Sequence, residues 1–252
     1  MFFFSVIIPS YNRAHIIDRA IQGVLNQTFQ DFEIIIVDDG SIDNTQEIIK
    51  NFSNDLRVKY IYQNNAGVCA ARNTGAKDAI GDYLLFLDSD DAVENSWLQD
   101  FYDSLLNQQY DIAYCNGTVL YPNGTTKKID ATNPYGNNTG KGADMAGSWA
   151  VKKEIFLKIG MYDTNIKFGE NNELRLRFQF EKLNVIVVEK YNFNYFASID
   201  GGSKNSQNKM ESILYTLNKH KVYYDRNKRV KKLFIQNAAV AAVRIGQVKK
   251  AH

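Results

Sequence analysis

Three carboxylates, Asp88, Asp90 and Asp91, directly follow the apolar run at 84–87. A second acidic pair, Asp38-Asp39, ends another apolar run and leads into Gly40-Ser41. Like charges at the end of a buried strand repel, and each is costly to desolvate, so a cation is expected there. Asp88 and Asp90, one small residue apart, suit a hard divalent ion. Mg²⁺ and Mn²⁺ take oxygen ligands and often only one or two carboxylates beside substrate phosphates. One acid could ligate the metal while its neighbour accepts from a sugar hydroxyl. Helix capping competes with this reading. Asp91 precedes a helix expected from about Asn95 to Leu106 and could cap it.

The elements that must position these acids alternate along the chain. Phe2 to Ile8 reads as a buried strand ended by Pro9, Phe32 to Val37 as a second, Val58 to Tyr62 as a third and Tyr83 to Leu87 as a fourth. Between them lie an apolar helical pattern from Ala14 to Leu25, a helix opened by a capping box of Asp43 and Gln46, and a small-residue helix from Ala70 to Ala79. This order predicts a parallel sheet with helices on both faces. Ligands of such sheets bind beyond the carboxyl ends of the strands, so both acidic clusters should share one rim. Further on, Asp111 to Cys115 and Thr118 to Tyr121 read as strands, with Asn123-Gly124 as a hairpin turn. Pro122 to Gly147 reads as a long functional loop. Lys153 to Ile159 and Asn172 to Leu183 read as helices, and Val185 to Val188 as a short strand.

At 252 residues and 44% hydrophobic, the chain can bury a sizeable core. Its net charge is +2, but ten Lys and Arg stand against one acid, Asp225, from Lys219 to His252. Cys69 and Cys115 show no metal or redox spacing and fit a reducing compartment. The start, MFFFSVIIPS, reads as a strand rather than a leader, and no apolar run reaches ~20 residues. A cytoplasmic location is expected, with the asparagine sequons as chance matches.

Four ordered segments, VIIPSYNR, IIIVDDGSIDNT, NNAGVCAARNTGAKDAIGDYLLFLDSDD and IGMYDTNIKFGENNELRLR, resemble the family 2 glycosyltransferases of the GT-A fold. The likeness is strong over 4–115 and moderate over 148–183. It implies a GT-A, Rossmann-like α/β fold with a mostly parallel sheet and a C-terminal helical extension. The divisions are 1–115 for the nucleotide-sugar half, 116–205 for the acceptor half and 206–252 for the extension. It implies inverting transfer from a nucleotide-diphosphate sugar with Mn²⁺ or Mg²⁺. Pro9, Tyr11 and Arg13 match the first nucleotide loop. Asp39 matches the acid that reads the uracil edge, with Asp38 holding the turn and leaving Asp39 free. Arg72 matches the arginine near base and diphosphate. Asp88 matches the first acid of the DxD motif, and Asp90 its metal ligand.

The pattern breaks at the general base. In the family this is usually the second residue of a Glu-Asp pair after a glycine, and here that residue is Asn171, an amide that cannot take a proton at neutral pH. Glu170, Glu173 one turn on, or a residue lost by replacement are the open accounts, Glu170 being favoured. Both glutamates would also suit a helix N-terminus. The family's histidine near the domain end is missing, and Asp200 stands where it could complete a metal shell or merely form a turn. His15 and His220 match no ligand position and are expected at the surface. Trp149 could stack on a sugar or sit in the core. Asp163 could meet substrate hydroxyls or fix its loop.

Lys228 to Lys232, followed by Leu233-Phe234-Ile235 and an Ala/Val-rich stretch, could lie on an anionic membrane surface or pack on the domain. The expected partners are a nucleotide-sugar donor, a glycan or lipid-linked acceptor and the inner membrane face. Nucleic acid is not expected, because aromatic and basic residues do not interleave. A non-catalytic nucleotide-sugar-binding relative is the rival reading, kept open by Asn171.

Overall fold

The computed structural model describes residues 2–107, 109–131, 145–197 and 205–246. Among them a nine-stranded sheet runs in the order β3 (Val58–Tyr62), β2 (Phe32–Asp38), β1 (Phe4–Ser10), β4 (Tyr83–Phe86), β8 (Trp149–Lys152), β6 (Ile112–Leu120), β9 (Val185–Phe196), β5 (Ala92–Val93), with β7 (Thr126–Ile129) paired to β6. The first four neighbours, β3, β2, β1 and β4, are all parallel. Beyond β4 the sheet is mixed: β8 is antiparallel to both β4 and β6. β9 returns parallel to β6, and the short β5 closes the edge against it.

The two-residue period of a strand divides the core. Phe4, Val6 and Ile8 of β1, with Phe32, Ile34 and Ile36 of β2, face α1 (Ile17–Leu25) and α4 (Trp97–Leu105). Ile7, Ile35, Val37, Leu84 and Phe86 face the other way, onto α3 (Val68–Asp78), α5 (Lys153–Lys158) and α6 (Glu170–Glu181). The small residues of α3 allow close approach: a Cβ on Gly75 would stand 2.6 Å from Ile7 Cγ2. Trp149 belongs to this second layer, packed on Phe86 and Phe178, and is a core residue rather than a sugar platform.

Several local expectations change. β1 runs through Pro9 to Ser10 because pairing with β4 has ended at Ile7, so the missing N–H is not needed. Residues 112–120 form one strand, not two; its pairing with β9 shifts register at Asn116, where the pattern looked broken. β9 is three times the expected length, and its second half pairs with β5 and β6. The hairpin at Asn123-Gly124 forms, with Gly124 at φ +80°, leading into β7 (Thr126–Ile129). The expected capping box at Asp43 is instead a loop tie: its carboxylate accepts from Thr45 N–H and Ala14 N–H and joins α2 (Thr45–Lys50) to the β1–α1 loop. Asp91 caps no helix. It accepts from Phe196 N–H, at the end of β9. The extension comprises α7 (Ser206–Lys219), α8 (Lys221–Arg226) and α9 (Lys228–Arg244), with Met210 of α7 packed on Ala241 and Ala242 of α9.

Candidate active site

Because β1 lies between β2 and β4 and all three run parallel, the acids that follow β2 and β4 come to one rim. Asp38 binds inward, accepting from Ser41 N–H at 2.8 Å and the Tyr60 hydroxyl at 3.0 Å. Asp39 is not left free. Its carboxylate accepts from Gln63 Nε2, Ala66 N–H and Gly67 N–H at 2.6, 2.9 and 2.8 Å, which fixes the β3–α3 loop. Gly40, at φ +82°, lets the turn close on that loop; a Cβ there would meet Asn65 N at 2.8 Å.

Tyr11 and Arg13 follow β1 in a loop tied sideways. Asn12 N–H donates to Ser41 Oγ, Ile42 N–H to Asn12 Oδ1 and Arg13 N–H to Thr45 Oγ1. Pro9 is buried within β1, whereas Tyr11 is 45% exposed beside the rim. An exposed aromatic on a pinned loop can stack on a planar ligand.

Arg72 is the centre of the arrangement. It is 2% exposed, yet its guanidinium reaches two acids from distant parts of the chain: Nη2 donates to Asp88 at 2.6 Å and Nη1 to Glu170 at 2.9 Å. Burial works against its charge, and Asp88, Tyr162 and Glu170 more than offset that effect. The guanidinium carbon stands 5.1 Å from the Tyr162 ring centre, and the Tyr162 hydroxyl donates to Asn171 Oδ1 at 2.7 Å. The rim acid Asp88 and the start of α6 are thus held against one buried cation.

The remaining acids of the cluster lack such compensation. Burial and then Asp88 raise the Asp90 pKa, against Arg13 and Arg19. Asp91 is raised further by burial and by both neighbouring acids, and its buried Oδ2 has no hydrogen-bond partner. Arg19, which donates to the Asp90 carbonyl and covers the Phe196 ring, is a rim residue missed in the sequence. Nothing distinguished it there from a solvated helix residue. Among the described residues no three Asp, Glu, His or Cys side chains form a ready metal cage. A negative cluster with an orphaned oxygen still fits a cation whose other ligands come from a diphosphate and water. Asp200 lies outside the described residues.

Glu173 stands apart from Glu170. It is buried and accepts from Arg177, Lys219 and His220, with Lys219 and His220 at 2.9 and 2.8 Å. Burial opposes ionisation, but these donors, His220 foremost, hold its pKa at about 2. A carboxylate so stabilised has little affinity for a proton and is unsuited to general-base work. His220 is therefore half of a buried contact rather than a surface residue, whereas His15 is exposed. Asp163 joins the same cluster: against burial, Lys219, the Asn165 amide and the Tyr215 hydroxyl bring it to about 2, and it fixes the extension.

The family model for glycosyl transferase family 2 matches residues 5–156. The uncharacterized glycosyltransferase EpsJ of Bacillus subtilis is 40% identical over 188 residues, which cover 68% of this chain and 54% of EpsJ. Glycosyltransferase GlyA of Streptococcus pneumoniae is 42% identical over 113 residues, 44% of this chain and 16% of GlyA. The chain thus spans about half of EpsJ and a small part of GlyA. The cholesterol galactosyltransferase of Borreliella burgdorferi is 29% identical over 263 residues, which cover 92% of this chain and 72% of that protein. Among solved structures, S. aureus TarS 1–349 in complex with UDP-GlcNAc superposes with a TM-score of 0.70 at 19% identity, over 86% of this chain and 67% of that one. The shared architecture is the GT-A-like α/β fold with its curled mixed sheet.

Proposed function

This chain belongs to glycosyl transferase family 2, and on that premise we propose that it transfers a sugar from a UDP-linked donor to a glycan or lipid-linked acceptor with inversion. The observation that carries the reading is the buried Arg72, which holds the donor-side acid Asp88 and the α6 acid Glu170 on one guanidinium. TarS complexes with UDP and UDP-GlcNAc support the uridine donor, and the galactosyltransferase relative supports a hexosyl group and a lipid acceptor.

In this reading Tyr11 stacks on the uracil, Asp39 and the loop it fixes meet the base edge, and Arg13 faces the diphosphate, with the buried Arg72 behind Asp88. Asp90, with Asp88 beside it, would hold Mg²⁺ or Mn²⁺. When bound, the ion offsets charge on the departing diphosphate. The acceptor oxygen forms a bond to the anomeric carbon on the face opposite the leaving group. The bond from that carbon to the diphosphate oxygen breaks, and UDP takes the electron pair. Glu170 receives the acceptor's proton. Arg72 occupies its Oε1, and no described hydrogen bond takes Oε2. Asn171 is held by Tyr162 as a neutral neighbour.

Calorimetry of UDP with and without Mn²⁺ tests the donor assignment. Asp90→Asn should abolish the metal-dependent part of UDP binding while the fold persists. Metal-dependent affinity equal to that of the parent would reject the assignment.

A further inference from the structure

The C-terminal extension carries a surface that the transfer reaction does not use. α9 has 17 residues. Its inner side is spent on packing: Ala238, Ala241 and Ala242 are buried, and the Phe234 ring meets Tyr224 of α8 at a tilt, with centroids 5.1 Å apart. At 100° per residue, Arg229, Lys232, Leu233, Val240, Val243 and Arg244 fall on one outward stripe. Leu233, Val240 and Val243 are 47%, 52% and 61% exposed, and Val222 of α8 is 67% exposed. The acid in this part of the sequence, Asp225, is paired with Lys231. At the stripe's edge, Leu233 and Asn237 enter a groove of about 260 Å³ between α9 and α6, lined also by Leu176 and Tyr224.

We propose that this face of α8 and α9 docks on an anionic lipid bilayer. Apolar side chains bracketed along one helix by cations suit a helix lying in the interface plane. The aliphatic groups reach the acyl boundary while the guanidinium and ammonium groups meet headgroup phosphates. Charge complementarity selects this occupant. A second copy related by a two-fold axis would set this cationic stripe against its own like charges. The rest of the chain supports the orientation: residues before Lys219 carry about −7, so the extension is the cationic pole of an otherwise acidic molecule. Lys219, the last residue of α7, and His220, between α7 and α8, clamp the extension to Glu173 on α6. The lipid-facing helices are therefore fixed to the helix that begins with Glu170. Docking does not depend on the transferase reading. Joined to it, docking places the acceptor at the lipid surface.

Flotation of the 252-residue chain with vesicles tests the proposal, using phosphatidylcholine alone and phosphatidylcholine mixed with phosphatidylglycerol. The chain should float with the anionic vesicles at low salt, be released by high salt, and stay unbound with phosphatidylcholine alone. Replacing Arg229, Lys232 and Arg244 together by Gln should weaken partitioning on the order of a hundredfold, since each cation near an anionic surface is worth about 1 kcal/mol. Val240→Glu with Val243→Glu should abolish flotation without altering UDP affinity or the circular dichroism spectrum, as both side chains are exposed. Absence of anionic-vesicle binding, equal binding to both vesicle types, or flotation unchanged in the Val→Glu variant would each overturn the proposal. So would a dimer in sedimentation velocity that the Val→Glu variant dissolves, because the face would then belong to a second copy. UDP calorimetry on the same samples reads the transferase assignment separately.

Discussion

The two sides of the rim hold their acids by different means. On the proposed nucleotide side, backbone amides do most of this: Ser41 N–H on Asp38, beside the Tyr60 hydroxyl, and Ala66 and Gly67 N–H on Asp39, beside the Gln63 side chain. On the α6 side, long cationic side chains do so: Arg72 on Glu170, and Arg177, Lys219 and His220 on Glu173. Backbone donors survive every substitution except proline and need only a short motif around a turn. Side-chain donors come from anywhere in the chain, and each is a single substitution from loss. The nucleotide side should therefore lose binding in small steps, whereas the α6 side should fail abruptly.

The sharpest break should come at Arg72. Arg72→Met leaves Asp88 and Glu170 facing each other without their shared cation. Removing one partner of a buried ion pair costs about 3–5 kcal/mol. Chemical denaturation should show a loss of that order, and a change under 1 kcal/mol would mean that the two acids need no common cation.

Glu173 comes next, and pH reads it. Its folded pKa, about 2, lies below the ordinary 4.5. A carboxylate with a lowered folded pKa contributes stability in full above its unfolded value and loses it as pH falls toward the folded one. The contribution should be on the order of 3 kcal/mol at neutral pH and fade between pH 4.5 and 2. Glu173→Gln should lower the melting temperature at neutral pH and flatten its dependence over that acidic range. An unchanged acid profile would show that the cluster around Glu173 is not a stabilising one.

The nucleotide side should yield less. Asp39→Ala should weaken UDP binding by roughly 1.5–3 kcal/mol, the range for hydrogen bonds to a charged group. Part of that arises through the released 63–67 loop, so calorimetry should show a larger unfavourable entropy of binding in the variant. Unaltered UDP affinity would move the base pocket elsewhere.

The same contrast decides what could be read from the sequence. The four parallel strands and the shared rim were legible because apolar runs, turn residues and acids are close in sequence. Asp39 stands out in the sequence, but its three donors do not, since they sit on the loop after another strand. The strand split at Asn116-Gly117 misled because a register shift within β6 interrupts the apolar pattern there. The strand expected at Val185 to Val188 stops short because Glu189, Lys190, Asn192 and Asn194 interrupt the apolar pattern, although pairing with β5 and β6 makes the second half of β9 strand. Glu173 and His220 could not be paired in advance. They are 47 residues apart, and neither the glutamate at a helix start nor the lone histidine signals the other. Tyr162 was in view beside Asp163, but its bond to Asn171 depends on how α6 packs over Phe86.

Glu170, not its neighbours, is the residue proposed to take the acceptor's proton. The direct measurement is the single-turnover rate of sugar transfer by Glu170→Gln, with UDP affinity measured on the same protein. A fall of about 10²–10⁴-fold in rate is expected, the usual size of a general-base contribution, with UDP affinity close to that of the parent. Asn171→Asp, measured alongside, should bring little gain. Transfer by Glu170→Gln at the parental rate, or a gain of comparable size in Asn171→Asp, would contradict that role for Glu170.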